Sequence, residues 1–83
     1  MESNDAVVFD NAKKYIELGY NIAYYRKHAN LTQERLAEKL GISRQHLGAI
    51  EAPNLLRPVS LDLLFNIATV LNIDVTKLLT FRE

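Results

Sequence analysis

The stretch LTQERLAEKLGISRQHLGAIE, residues 31–51, contains two short amphipathic segments that meet at Gly41. Thr32 and Ser43 stand where the two segments begin, and hydroxyl side chains at such positions can cap the N-termini of helices. The apolar residues at helical spacing, which form the expected inner faces, are Leu36, Ala37, Leu40, Ile42, Leu47 and Ile50. Two short helices joined by a glycine turn are typical of a helix-turn-helix.

Most of the surface of the second segment is expected to face solvent, because its apolar residues cover only a narrow stripe. Arg44 with Gly48, and Gln45 with Ala49, lie four residues apart and so share one outward strip of the helix. Arg can bond bidentately to guanine and Gln to adenine, while the methyl group of Ala can touch that of thymine. A glycine on the same strip lets the helix backbone approach the bases. The strip therefore has the composition of a major-groove reader.

Three further helices are predicted around this pair. The first covers roughly residues 10–28, with Asp10 as a cap and one apolar face made of Tyr15, Leu18, Ile22 and Tyr25. Ser60 can cap the fourth helix, whose expected inner face is Leu61, Leu64, Phe65, Ala68 and Leu71. Asp74 can cap a short fifth helix that contains Val75, Leu78 and Leu79. Between the third and fourth helices, the two prolines of residues 52–59 favour an irregular loop.

The fold class expected from this pattern is all-α, a compact bundle of five helices with the helix-turn-helix at helices 2 and 3. No alternating strand pattern of useful length occurs. The 83 residues suffice for one small domain. We therefore expect a flexible N-terminal segment at residues 1–9 and a single domain at residues 10–83.

The amino-acid composition limits which binding partners and which cellular compartment we expect. The net charge is zero, but residues 11–60 carry eight basic and four acidic side chains, so one face can still be positive. There is no cysteine, no apolar run of membrane-spanning length and no charged-then-apolar leader. The expectation is a cytoplasmic protein without a membrane partner.

Signs of catalysis or of a cofactor site are weak. Glu34 and Glu38 form a carboxylate pair at spacing four, but on a helix surface where both would be solvated. His28 and His46 lack companion ligands at metal-binding spacing, and no Gly-rich phosphate loop is present. We expect neither enzyme activity, nor a metal, nor a cofactor.

Several motifs together resemble the phage-repressor and Cro-like helix-turn-helix family, also called XRE. They are Arg26 with LTQERLAEKLGIS, the apolar pair Leu47 and Ile50, Glu51, and the later SLDLLFNIATVLNIDVTKLL. The resemblance covers roughly residues 18–79. It implies a lambda-repressor-like DNA-binding domain whose third helix enters the major groove of a double-stranded operator.

The resemblance also implies roles for particular residues. Gln33 matches a residue that contacts backbone phosphate and supports the reading side chains, and His46 a position that often reaches the flanking phosphate. Arg26 and Glu51 match a partly buried ion pair between the first helix and the end of the third. Base-facing positions match Arg44, Gln45 and Ala49. The full set of expected DNA-binding residues is Gln33, Ser43, Arg44, Gln45, His46, Ala49 and Arg57.

The loop after Glu51 departs from the family pattern. Many members have Asn-Gly followed by basic residues, whereas this chain has Ala52-Pro53-Asn54-Leu55-Leu56 and keeps only Arg57. Part of the expected phosphate clamp is thereby missing. Leu55 and Leu56 can instead pack on the core or meet a partner; we expect one of them to pack, and either role remains open for the other.

The resulting hypothesis is a transcriptional regulator that binds a pseudo-palindromic operator as a homodimer. The apolar residues expected at a dimer or partner surface are Leu55, Leu56, Leu78, Leu79 and Phe81. The same fold occurs in antitoxins and in controller proteins of restriction-modification systems, by family resemblance. In that alternative a protein partner matters as much as the DNA does.

Overall fold

The computed structural model describes residues 7, 9–54 and 57–81, and within these residues the chain forms helices and no strand. The helices are α1 (Ala12–His28), α2 (Gln33–Leu40), α3 (Arg44–Glu51), α4 (Leu61–Leu71) and α5 (Val75–Leu78). The predicted all-α fold with five helices is confirmed. In the part of the chain that the structure describes, no helix is both long and apolar enough to cross a membrane.

Hydroxyl caps begin the three middle helices, as the sequence predicts. Thr32 Oγ1 accepts a hydrogen bond from the Arg35 amide at 3.0 Å, at the start of α2. The Ser43 hydroxyl does the same for α3 at 2.9 Å, and the Ser60 hydroxyl for α4 at 3.1 Å. Each cap satisfies an amide that has no partner inside its helix, which fixes where the helix starts.

The start of α1 differs from the prediction. The helix begins at Ala12, and its N-cap residue, Asn11, makes no side-chain capping bond. Asp10 instead accepts a hydrogen bond at Oδ1 from the Ala12 amide, at 3.1 Å. A short carboxylate side chain that bonds to the backbone two residues ahead forms a turn before the helix, so the predicted start was two residues early.

The turn between α2 and α3 depends on Gly41. Its φ is 72°, a left-handed conformation that a β-carbon disfavours. Behind it, the Gly41 amide donates to the Glu38 carbonyl at 3.2 Å and the Ile42 amide to the Ala37 carbonyl at 3.1 Å. This pattern closes a helix C-terminus, so α2 ends there and α3 begins three residues after Gly41, at Arg44.

One core joins all five helices. α1 packs against α3, α4 and α5, while α2 packs against α3 and α4. The buried apolar residues are Leu18, Ile22, Leu36, Ala37, Leu47, Ile50, Leu64, Ile67, Ala68, Leu71 and Leu78. Both helices of the helix-turn-helix contribute to this core, which holds them in a fixed orientation.

The prediction for the inner face of α4 was wrong at two positions. Leu61 is 67% exposed and Phe65 is 48% exposed, whereas Ile67 is fully buried. Leu61 is the first residue of the helix, and helical side chains lean toward the N-terminus, so it extends past the end of the packed surface. The outer face of α4 therefore carries two large apolar side chains, beside the polar Asp62, Asn66 and Thr69.

The predicted dimer or partner surface also needs correction. Leu78 is fully buried in the core and cannot belong to an exposed surface. Leu79 is 46% exposed, and Phe81 packs partly against the core. Leu55 and Leu56 lie outside the described residues.

Candidate nucleic-acid interface

The outward side of α3 is positioned by its buried side. Leu47 and Ile50 lie in the core with at most 3% of their surface exposed. Their burial against α1 and α2 sets the rotation of the helix. The opposite strip of α3 is therefore exposed in the first turn of the helix and partly exposed in the second.

The predicted reading residues lie on that strip. Arg44 and Gln45 are exposed in the first turn of α3, while Gly48 and Ala49 are half-buried in the second. Within the described residues Arg44 forms no ion pair, so its guanidinium remains available to an anion or a base. Long polar side chains at the entry of the helix and small ones behind them suit a helix that must insert into a groove.

Two further residues predicted to contact DNA, Ser43 and His46, lie at the N-terminus of α3. Ser43 is exposed, and its hydroxyl oxygen accepts the capping bond from the His46 amide. That hydroxyl still has its own hydrogen to donate. His46 is half-buried. A helix N-terminus with free amides and polar side chains favours an anion such as phosphate.

Arg26 and Glu51 form a bidentate ion pair behind α3. Arg26 Nε donates to Glu51 Oε2 at 2.8 Å, and Arg26 Nη2 donates to Oε1 at 3.0 Å. The third guanidinium nitrogen, Nη1, donates to the Leu31 carbonyl at 2.8 Å. Only 9% of the Arg26 side chain and 4% of the Glu51 side chain are exposed. The pair thus ties the end of α1 to the end of α3 and, through Arg26, to Leu31, two residues before α2.

Gln33 lies beside this ion pair, at the first position of α2. Its Nε2 donates to Glu51 Oε1 at 2.9 Å. A β-carbon placed on Gly48 would lie 3.8 Å from Gln33 Oε1, so the amide also borders the outward strip of α3. Gln33 is half-buried and therefore reaches both the ion pair and the surface.

Arg57 is exposed in the segment that leads into α4, and Lys39 is exposed near the end of α2. The structure thus leaves both cations accessible to solvent, but it does not bring them into contact with the reading strip. Among the described residues, no group of three or more His, Cys, Asp or Glu side chains could hold a metal ion.

Sequence reasoning missed Gly19, which determines how closely α1 approaches α3. A β-carbon on Gly19 would overlap the Ile50 carbonyl oxygen and crowd the backbone of Glu51. The two helix backbones can therefore touch only because residue 19 has no side chain. A glycine in the middle of a helix, where it costs stability, was the available signal.

Sequence reasoning also missed Asn21, a buried residue of α1 two positions after Gly19. Its Nδ2 donates to the Leu78 carbonyl at 2.9 Å and to the Thr80 carbonyl at 3.0 Å. These bonds fasten the end of α5 to α1. The role of Asn21 is structural, and its only signal was a polar residue between apolar ones on the packed side of α1.

Comparisons with known proteins agree with this geometry. The helix-turn-helix family model HTH_3 matches residues 22–78. The control protein C.SmaI of Serratia marcescens is 43% identical over 63 residues, which cover 76% of this chain and 73% of that protein.

Two solved structures have the same fold. The restriction-modification controller protein C.AhdI from Aeromonas hydrophila superposes with a TM-score of 0.72 and 30% identity, over 80% of this chain and 97% of that one. The biofilm regulator SinR, solved in complex with DNA, gives a TM-score of 0.69 and 35% identity, over 76% of this chain and 98% of that one. The match to the family model, which spans more than half of the sequence, agrees with the capped α2–Gly41–α3 unit. The chain belongs to the helix-turn-helix (XRE) family of DNA-binding transcriptional regulators.

Proposed function

We propose that this protein regulates transcription as a homodimer that inserts α3 of each copy into the major groove of a pseudo-palindromic operator. The observation that carries the proposal is the outward strip of α3, where Arg44 and Gln45 are exposed while Leu47 and Ile50 on the opposite side are buried. The likeness to SinR, a protein solved in complex with DNA, supports DNA binding by this fold.

The proposed contacts fall into two classes. Arg44 and Gln45 read base edges, Arg44 through guanine and Gln45 through adenine, and Ala49 touches a thymine methyl group. The remaining contacts go to phosphates and fix the position of the protein on the duplex. The residues proposed for this second class are Gln33, Ser43, His46 and Arg57.

Dimerisation is proposed to use the outer face of α4. Leu61 and Phe65 lie one helical turn apart there, at 67% and 48% exposure. In a two-fold dimer each residue near the axis meets its own counterpart, so charges in the contact repel. This face carries one charge, since Asp62, which is exposed and three residues before Phe65, is the only charged residue in α4. This face therefore suits a second copy better than the outer face of α1, where Lys13 and Lys27 are exposed.

Selection of binding sites from random duplexes, with the purified protein at physiological salt, tests the proposal. We expect enrichment of a palindrome whose half-sites lie about one helical turn, roughly 34–36 Å, apart. Enrichment of a single half-site would contradict the dimer. The absence of any enrichment would contradict sequence-specific binding as a whole.

A second candidate is a controller role in a restriction-modification system. It is favoured by the likeness to C.SmaI and C.AhdI, which are named as control and controller proteins. This role keeps the same DNA contacts and specifies which genes are regulated. Its test is whether the selected palindrome occurs upstream of the chain's own gene and of a neighbouring endonuclease or methyltransferase gene.

The alternative in which a protein partner matters as much as DNA, as for an antitoxin, predicts a stable complex with a second protein. Co-purification of a stoichiometric partner from the native cell would favour it over simple regulation. In either version we propose a non-enzymatic protein that acts in the cytoplasm, beside the DNA it binds.

A further inference from the structure

The carboxylate of Glu51 serves two elements at once. Its Oε1 accepts hydrogen bonds from Arg26 Nη2 at 3.0 Å and from Gln33 Nε2 at 2.9 Å. Its Oε2 accepts from Arg26 Nε at 2.8 Å. One carboxylate at the end of α3 thus joins the last turn of α1 to the first residue of α2.

This arrangement determines the orientation of the Gln33 amide. An ionised carboxylate can only accept hydrogen bonds, so the amide must turn its NH₂ group toward Glu51. Gln33 Oε1 then points away from the ion pair, toward the position of Gly48 on α3, where a β-carbon would lie 3.8 Å from it. A hydrogen bond to a charged acceptor is about twice as strong as one between neutral groups, which makes the alternative orientation unfavourable.

We infer that Glu51 is a positioning residue for DNA binding, which acts by holding the Gln33 amide in one orientation at the protein surface. The inference rests on the proposed function. In this orientation Gln33 keeps one Nε2 hydrogen to donate to a phosphate, and both lone pairs of Oε1 to accept from a base amino group or from a reading side chain of α3. Without Glu51, the amide would have to be ordered when DNA binds, and affinity would fall.

The buried ion pair gives Glu51 a second, purely structural role, and the test must separate the two. Arg26→Lys is the matched control, because it disturbs the ion pair but leaves the Glu51 carboxylate free to hold Gln33. Glu51→Gln disturbs the same pair and also removes the charged acceptor of the Gln33 amide. A structural role alone predicts equal losses of operator affinity for variants with equal losses of stability.

A double-mutant cycle on operator affinity tests the inference. Its four proteins are the wild type, Gln33→Ala, Glu51→Gln and the double variant. Affinities are measured at a temperature where circular dichroism shows that all four are folded. We expect Gln33→Ala to lower the operator affinity of the wild-type protein. In the Glu51→Gln background, the loss of affinity caused by Gln33→Ala should be about three- to tenfold smaller, as for residues in one hydrogen-bond network. In the Arg26→Lys background, Gln33→Ala should keep most of its wild-type effect. An equal effect of Gln33→Ala in the wild-type and Glu51→Gln backgrounds would overturn the inference.

A spectroscopic measurement covers the case in which Glu51→Gln does not fold. The side-chain amide of Gln33, assigned by its loss in Gln33→Ala, should show slow hydrogen exchange in the wild-type protein without DNA. Rapid exchange, equal to that of the exposed Gln45 amide, would overturn the inference. Failure of the wild type to select any duplex would overturn the proposed function first, whereas selection combined with an additive cycle would overturn this inference alone.

Discussion

Two helical glycines in this chain have opposite surroundings. Gly19 faces the backbone of α3, where a β-carbon would overlap the Ile50 carbonyl oxygen. Gly48 lies on the outward strip, where the nearest atom to a β-carbon would be Gln33 Oε1 at 3.8 Å, an ordinary contact. The first glycine is therefore required by packing, whereas the second costs helix stability without a packing reason.

These surroundings predict opposite effects of the same substitution. Gly19→Ala should destabilise the protein by about 1–3 kcal/mol, as expected for an overpacked core position. Gly48→Ala, the matched control, should stabilise it by about 0.5–1 kcal/mol, because alanine is the better helix former. Urea unfolding of the two variants measures both free energies. A Gly19→Ala variant as stable as the wild type would show that α1 and α3 do not approach as described.

At the residue scale, sequence predicts what is local. The caps at Thr32, Ser43 and Ser60 and the turn at Gly41 follow from side-chain chemistry within four residues of each position. Gly19 and Asn21 could not be assigned in this way, because their partners lie about 30 and 57 residues further along the chain. Only the packed structure brings them together.

At the scale of the elements, α5 is the helix that depends most on its cap, since it has only four residues. Asp74 Oδ1 accepts hydrogen bonds from the Thr76 hydroxyl at 2.7 Å and from the Thr76 amide at 2.9 Å. The Thr76 hydroxyl is the main reason that the pKa of Asp74 is lowered below its usual value of 3.8, and the Thr76 amide contributes as well. The ionised carboxylate is thus the form that the folded state prefers.

A pH dependence follows from this shift. A carboxylate whose pKa is lower in the folded than in the unfolded state adds stability above pH 3.8, and loses it as the pH falls through the folded pKa. Asp74→Asn keeps an acceptor oxygen but removes the charge. Its melting temperature should therefore be below that of the wild type at neutral pH, with the gap closing below pH 3.8. A gap that stays constant with pH would show that the charge has no part in the cap.

The inner face of α4 shows where periodicity fails at this scale. Eight of the eleven residues in LDLLFNIATVL are Leu, Ile, Val, Phe or Ala, so more than one set of positions fits helical spacing. Packing against α1, α2 and α5 buries Leu64, Ile67 and Leu71. Phe65 fitted the sequence pattern equally well and lies outside.

At the scale of the whole molecule, the two exposed apolar side chains on the outer face of α4, Leu61 and Phe65, predict a dimer. Phe65→Asp should convert the protein to a monomer, because it buries a charge against its own counterpart at the two-fold axis. Its effect on the fold should be small, since Phe65 is already 48% exposed. Sedimentation of the variant measures the mass.

The matched control for this test is Tyr20→Asp, which changes an aromatic residue of 59% exposure on α1. It should leave the dimer intact. A Phe65→Asp variant with the mass of the wild type would exclude the α4 face. Dissociation by both variants would show that the effect is not specific to that face.

The family, the five helices and the exposure of Arg44 and Gln45 on α3 could be predicted, because the helix-turn-helix is contiguous in sequence and its apolar spacing separates a buried from an outward side. The burial of Leu78 and the exposure of Phe65 could not be predicted, since both residues fit helical spacing and only the packing of the helices decides which side chain is buried. The net charge of zero gave no indication of a nucleic-acid partner. Only the distribution of charge along the sequence did, through the basic excess of residues 11–60.

The most direct test of the central claim, that the outward strip of α3 reads base edges, is the affinity of wild type and Arg44→Ala for the selected operator and for its single-base variants. We predict that Arg44→Ala loses about 1–3 kcal/mol of discrimination at one base pair of each half-site. Its discrimination elsewhere, and its melting temperature, should match the wild type. An equal loss of affinity for every sequence would contradict base reading and leave Arg44 as a phosphate contact.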